Sequence, residues 1–288
     1  MKQILEKYGY APDMEAIDRI LTLIQNNLGS YESAGNLAAC MGLIDLTSLN
    51  SADTEAKIAG MTQKVNMVKS SFPEYPAPAA ICVYPNFAEC VKKNLTVHSV
   101  KTAVVAGAFP HSQSFDQVKK LECKMAAESA DEIDIVLPLH LFLAGEYEKT
   151  ADSIREIKEI LQEKTLKVIL ETGVLASPTA IAAASFLAME AGADFIKTST
   201  GKLEPAATPM AAIIMCDAIK RYYIQCGRKV GFKAAGGMTA TKDALCYYSI
   251  VDTILGKEWL NKEYFRLGTS RLANAILSEL EEKTVNYY

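Results

Sequence analysis

Phe195-Ile196-Lys197-Thr198-Ser199-Thr200-Gly201 and, 36 residues on from Lys197, Gly231-Phe232-Lys233-Ala234-Ala235-Gly236-Gly237 share one pattern. Each is a β-prone run that carries a lysine and then enters a loop of small residues and glycine. Between them, Thr208-Pro209 sets a capping hydroxyl before a proline suited to the first helical position, and a helical stretch follows at 209–225. Strand, helix and strand at that spacing make one βαβ repeat, which puts the two lysines on neighbouring strands.

The same alternation extends in both directions. Further β-prone runs lie at 41–46, 79–84, 102–106, 132–137, 166–170 and 264–267, and several are apolar almost throughout. Parallel strands covered on both faces read this way, because helices shield each face from water. Helical stretches fall between the runs, at 54–69, 87–94, 114–129, 146–163, 178–191 and 241–254, with 270–283 closing the chain. Eight strand–helix alternations predict an α/β fold of the closed (β/α)8 TIM-barrel type rather than an open sheet. No Gly-x-Gly-x-x-Gly follows the first strand, which weakens the dinucleotide-binding alternative. An amphipathic segment at 14–28 carries Ile17, Ile20, Leu21, Ile24 and Leu28 on one face and precedes the barrel. We therefore expect a single domain, 1–288, with about forty N-terminal residues as a helical extension and 41–288 as barrel and C-terminal tail.

Composition narrows the partners. With 30 Lys+Arg against 34 Asp+Glu the net charge is −4, so no global positive field favours nucleic acid or an anionic membrane. Seven scattered cysteines without a Cys-x-x-Cys point to reduced thiols in a cytoplasmic protein, not to a disulfide framework or a zinc site. Met1-Lys2-Gln3-Ile4-Leu5-Glu6-Lys7 does not read as a signal peptide, and no apolar run nears the ~20 residues of a membrane span. The expected partner is a small molecule, with a homodimer expected only from the prevalence of two-fold oligomers.

In a barrel of this kind the chemistry sits at the C-terminal ends of the strands. A single lysine there usually snorkels to solvent. Two on consecutive strands, each leading into a glycine loop, favour a shared site. Desolvation and a second ammonium both lower a lysine pKa, and the neutral amine is the form that makes a Schiff base with a carbonyl. Proton transfer would need a carboxylate. Asp134, in Glu132-Ile133-Asp134-Ile135-Val136, and Asp45, in Leu43-Ile44-Asp45-Leu46-Thr47, are acids within apolar runs, where they are costly unless paired with a cation. Either could instead cap a loop or helix. Three late loops, Thr200-Gly201-Lys202, Gly236-Gly237 and Gly268-Thr269-Ser270, are candidates to bind an anion through backbone N–H groups. His98, His111 and His140 lack the spacing of a shared metal site, and Cys82 reads as a small buried residue rather than a nucleophile.

Taken in order, these motifs, with Ala80-Ile81-Cys82-Val83-Tyr84-Pro85, Phe109-Pro110-His111 and Glu171-Thr172-Gly173, resemble the deoxyribose-phosphate aldolase family of class I aldolases. The resemblance runs from about Asp45 to Arg271. It implies a (β/α)8 barrel and reversible cleavage of 2-deoxy-D-ribose 5-phosphate to D-glyceraldehyde 3-phosphate and acetaldehyde, without metal or organic cofactor. It implies Lys197 as the Schiff-base lysine, Lys233 as the lysine that tunes it, Asp134 as the acid/base residue acting with a water, and Asp45 as a further active-site carboxylate. Thr200, Gly201, Lys202, Gly236, Gly237, Thr269 and Ser270 become the substrate-binding set. The terminal Tyr287 and Tyr288 are candidates for a tail-borne proton shuttle.

Three departures stand out. Gly107-Ala108 replaces a common Thr-Asn, Met238-Thr239 occupies the place of a frequent arginine, and Gly268-Thr269-Ser270-Arg271 differs from a usual pair of serines. They bear on phosphate selectivity and leave two alternatives open. One is a Schiff-base aldolase of the same fold acting on another or an unphosphorylated aldehyde, and the other is a non-catalytic sugar-phosphate-binding barrel.

Overall fold

The computed structural model describes residues 1–288. Eight strands, β1 (Ile44–Thr47), β2 (Ala80–Val83), β3 (Lys101–Val105), β4 (Glu132–Val136), β5 (Thr165–Ile169), β6 (Phe195–Lys197), β7 (Gly231–Ala235) and β8 (Phe265–Thr269), run parallel in sequence order. The last pairs with the first, with Asp45 opposite Gly268, so the sheet is a closed barrel. Helices link the strands on the outside, which is the expected (β/α)8 architecture.

The strand interiors explain the closure. Residues of β2 to β8 are buried on both faces almost throughout, and the larger core cluster lies between barrel and outer helices. Inside the barrel a second cluster is made of small groups on β2 and β3, namely Ala80, Cys82, Ala103 and Val105, with Leu49. That small-residue wall leaves the opposite half of the lumen for long charged side chains.

Helix starts follow the capping signals. Ser177 and Thr208 accept hydrogen bonds from the N–H of Ala180 and Ala211 at 3.1 and 3.2 Å, each ahead of a proline in the first turn. Each cap is worth about 1 kcal/mol. The amphipathic segment forms the helix Met14–Asn27, capped by Asp13. The sequence reading started the first strand three residues early: Met41 ends a short helix, Ala34–Met41, and β1 begins at Ile44. Ser33 caps that helix through the N–H of Asn36, and its Leu37, Cys40 and Met41 are buried, so tertiary packing decided a segment too short for periodicity to reveal. The N-terminal helices lie against the outer helices, with Tyr8 stacked on the ring of Phe186 at 4.1 Å.

Candidate active site

The register of the sheet assembles the charged groups. Lys197 is the last residue of β6, and it pairs with Lys233 in β7, which in turn pairs with Arg266 in β8. Asp134 in β4 pairs with Lys167 in β5. Residues in register point to the same side of a sheet, so these side chains meet inside the barrel. Asp45, Glu132, Asp134, Lys167, Lys197, Lys233 and Arg266 are all buried there.

Asp134 is the hub. Its Oδ2 accepts from Lys197 Nζ at 2.9 Å and from Lys233 Nζ at 2.8 Å, and its Oδ1 accepts from Lys167 Nζ at 3.0 Å. Lys233 also donates to Asp45 at 2.5 Å. Arg266 donates to Asp45 at 2.6 Å and to Glu132 at 2.7 Å, and Lys167 donates to Glu132 at 2.6 Å. The sequence reading had named four members of this cluster. Lys167, Glu132 and Arg266 join them through the register of β4, β5 and β8, which nothing in their own segments shows. Their signal was nonetheless present, since each is a charged residue inside a β-prone run.

Burial penalises every charge in the cluster, and partners decide which ones persist. Burial pulls the Lys197 pKa down, Asp134 pulls it up and the Lys233 charge lowers it again, leaving it below the ordinary lysine value. For Lys233 burial also acts downward, but Asp134 and Asp45 outweigh it and the net shift is upward. Lys167 is raised in the same way, by Asp134 and Glu132 against burial. Burial would push Asp134 up, yet Lys167, Lys197 and Lys233 hold it well below the carboxylate range. Asp45 is likewise lowered against burial by Lys233, Arg266 and Lys167. The Cys82 thiol is pushed up by burial, so it stays protonated and unreactive.

A cavity of about 400 Å³ opens above this cluster at the C-terminal ends of the strands. Of the three lysines in the cluster only Lys197 lines it. Lys233, Asp134 and Asp45 lie beneath, out of contact with the cavity. All seven residues assigned to substrate binding, Thr200, Gly201, Lys202, Gly236, Gly237, Thr269 and Ser270, also line its wall or rim. Two of their hydroxyls are already engaged. Thr200 donates to Glu171 at 2.6 Å, which pins the loop after β6, and the Thr269 hydroxyl receives the N–H groups of Arg271 and Leu272 at 3.3 Å. Lys202 Nζ donates to the Leu49 carbonyl at 2.5 Å. Gly236 needs its missing side chain, since φ is +83° and a Cβ would sit 2.8 Å from that of Ala206. Arg271 and Met238 line the same wall, and no side chain of the protein bonds the Arg271 guanidinium.

The terminal tyrosines are docked elsewhere. The N–H groups of Tyr287 and Tyr288 both donate to Asn274 Oδ1, at 3.0 and 2.9 Å, and the Tyr287 hydroxyl donates to the Lys64 carbonyl at 2.7 Å. Neither lines the cavity, and the Tyr288 hydroxyl is buried without a partner. No group of His, Cys, Asp or Glu has the arrangement of a metal site, and no helix is long and apolar enough to cross a membrane.

Comparison with known proteins agrees with this geometry. The human deoxyribose-phosphate aldolase is 37% identical over 262 residues, which is 87% of this chain and 81% of that protein. Among solved structures, one described as QR15, an aldolase, matches with a TM-score of 0.68 and 26% identity over 84% of this chain and 96% of its own. The tetrameric deoxyribose phosphate aldolase from Aeropyrum pernix shares the fold, with a TM-score of 0.68 at 23% identity over 93% of this chain and 98% of its own. A family model described as DeoC/LacD family aldolase matches residues 39–247, and the chain belongs to that family of aldolases.

Proposed function

We propose that the protein is a class I aldolase that reversibly cleaves 2-deoxy-D-ribose 5-phosphate to D-glyceraldehyde 3-phosphate and acetaldehyde through an imine on Lys197. One observation carries the reading: of three lysines buried together, Lys197 alone faces the cavity. A buried amine with a lowered pKa that can still be reached by an aldehyde is a nucleophile.

The chemistry follows from this placement. The Lys197 amine adds to the aldehyde carbon of the open-chain sugar, and loss of water gives a protonated imine. The C2–C3 bond then breaks. Its electron pair moves into the imine to give an enamine, while the C3 hydroxyl proton passes to a base and the phosphorylated aldehyde leaves. Asp134, held ionised 2.9 Å from Lys197 Nζ, is that base, acting through a water. Protonation of the enamine carbon and addition of water release acetaldehyde and return the amine. Asp45 acts through Lys233, which it holds against Asp134. The scheme uses protein groups alone and calls on no metal or organic cofactor.

The phosphate end of the substrate lies against the late loops. Lys202 and Arg271 supply positive charge there, and the helix Leu272–Leu280 starts from the same rim. Arg271 takes over the charge that Met238-Thr239 does not provide. The silent sugar-phosphate binder is disfavoured by an amine left open to the cavity. Incubation with acetaldehyde, borohydride reduction and peptide mapping test the reading: an adduct on Lys197 supports it, and none on an intact protein overturns it. Turnover of phosphorylated against free deoxyribose separates the sugar phosphate from the unphosphorylated substrate.

Tyr288 or Tyr287 serves as a proton shuttle if the docked tail swings to the mouth. Removing both should slow proton exchange on bound acetaldehyde and leave imine formation intact. A homodimer is supported by the helix Asp116–Ala127, whose Val118, Leu121 and Met125 are exposed beside Phe115; light scattering of the native protein and of Leu121→Glu decides it. Seven unpaired cysteines fit a reducing, cytoplasmic setting.

A further inference from the structure

The contacts around Asp134 continue into a closed circuit. Asp134 binds Lys167, Lys167 binds Glu132, Glu132 binds Arg266, Arg266 binds Asp45, Asp45 binds Lys233, and Lys233 returns to Asp134. Six groups of alternating sign make a ring with three positive and three negative members. Each cation of the ring touches at least two carboxylates, and Lys167 also stands 3.9 Å from Asp45 across the ring. Lys197 is the seventh group and stands outside, touching only Asp134 through an oxygen it shares with Lys233.

We propose that Glu132 and Arg266 are positioning residues for Lys197. By closing a neutral ring beneath the site they leave Lys197 as the surplus cation, and so commit it, rather than Lys167 or Lys233, to the neutral amine. A buried cluster with one unmatched charge is relieved by releasing one proton. The proton that leaves is the one whose loss breaks the fewest pairings, and that is the proton on Lys197. Neither Glu132 nor Arg266 reaches the substrate cavity, so their influence passes through Lys167, Asp45 and Lys233. This inference rests on the reading of Lys197 as the imine-forming residue.

The surroundings leave the ring to set this balance. Lys197 is faced by Asp134 from β4, Lys233 from β7 and the protonated Cys82 from β2, while Lys167 from β5 sits on the other oxygen of Asp134 and Asp45 from β1 on Lys233. At the other end, Glu132 and Arg266 border a second cavity of about 260 Å³ at the N-terminal ends of the strands, which Lys158, Asp194 and Lys229 also line. There Lys158 is paired with Asp194 at 2.7 Å and Lys229 with Glu258 at 2.7 Å; Glu163 and Glu263 complete its charged wall. The lower half of the ring is stacked on the Phe195 ring, with the Arg266 guanidinium 5.7 Å and Lys167 Nζ 5.9 Å from its centroid.

The two residues carry opposite charge, so their removal must act in opposite directions. Glu132→Gln leaves the ring positive and should lower the pH at which Lys197 becomes reactive. Arg266→Met leaves the ring negative and should raise it. Each shift should be on the order of one pH unit, equivalent to about tenfold in rate on the sloping limb. The double variant E132Q/R266M restores neutrality and should titrate near the unmodified enzyme, as should Arg266→Lys, which keeps the charge. The experiment follows the rate of acetaldehyde adduct formation on Lys197 with cyanoborohydride across pH, read by mass spectrometry, with folding checked by circular dichroism. Opposite shifts with return in the double variant support the proposal. Shifts of one sign in both variants, or folded variants with unmoved profiles, overturn it. If R266M does not fold, the double variant against E132Q alone makes the same comparison, and equal profiles in those two overturn the proposal. No Lys197 adduct in the unmodified enzyme would sink the imine reading itself, and the proposal with it.

Discussion

Replacing Lys233 by methionine removes the nearest positive charge from Lys197 while keeping the length of the side chain. Both ammonium nitrogens touch Oδ2 of Asp134, at 2.9 and 2.8 Å, so they stand no more than ~6 Å apart. At an effective dielectric of ~20, unit charges at that distance repel by about 3 kcal/mol, which corresponds to about two pH units. Without Lys233 that repulsion vanishes, and Asp134 and Asp45 are left with one cation fewer. Lys197 should then hold its proton to higher pH, moving the onset of imine formation up by about two units and slowing it by ~100-fold at neutral pH. The assay is single-turnover trapping of acetaldehyde with cyanoborohydride over a pH series, quantified by intact mass. Loss of a buried ionic partner also costs about 3–5 kcal/mol of stability, so thermal unfolding is measured on the same samples. A folded Lys233→Met protein that forms the imine over the same pH range as the unmodified enzyme would refute the reasoning.

Arg271→Ala should raise KM for the phosphorylated sugar by about tenfold, the worth of one charged hydrogen bond, and leave turnover of free deoxyribose unchanged; equal losses on both sugars would remove Arg271 from phosphate binding. Gly268→Ala would place a Cβ 2.9 Å from Cε of Lys233 and 3.0 Å from Cβ of Ala235. Overpacking of this kind costs about 1–3 kcal/mol, and displacement of Lys233 should lower kcat by at least about tenfold, which steady-state kinetics would show. Acid sensitivity follows from the carboxylates. Asp45, Glu132 and Asp134 are each held below their ordinary values in the fold, so their contribution is complete above the unfolded range of about 4 and is lost as pH falls below it. Urea midpoints measured from neutral pH down to about 3 should fall steeply below about 4, and Glu132→Gln should flatten that limb.

Much of this site was legible in the chain because its parts are chemically conspicuous. Lys197, Lys233, Asp134 and Asp45 are charged residues in largely apolar runs, and the two lysines lead into loops of small residues and glycine. Lys167 and Arg266 carry the same mark, yet nothing in their own segments shows that the two side chains meet around Glu132. That meeting depends on register across β4, β5 and β8, which is a property of the closed sheet. The short helix before β1 was also hidden, since eight residues give too little periodicity and its stability comes from packing.

The sequence by itself determined the order of strands and helices, the barrel that eight such alternations must close, and the pair of lysines on neighbouring strands. Hydrophobic periodicity, capping residues and spacing are local properties, and each acts within about one repeat. Only the tertiary structure decided which lysine is open to the cavity, that the terminal tyrosines dock against Asn274, and that six other charges form a neutral ring beside Lys197. Those outcomes turn on distances of a few ångströms between residues up to 221 positions apart. In a buried site such distances fix which ammonium can lose its proton, because each charge there is held by contact with another and not by water.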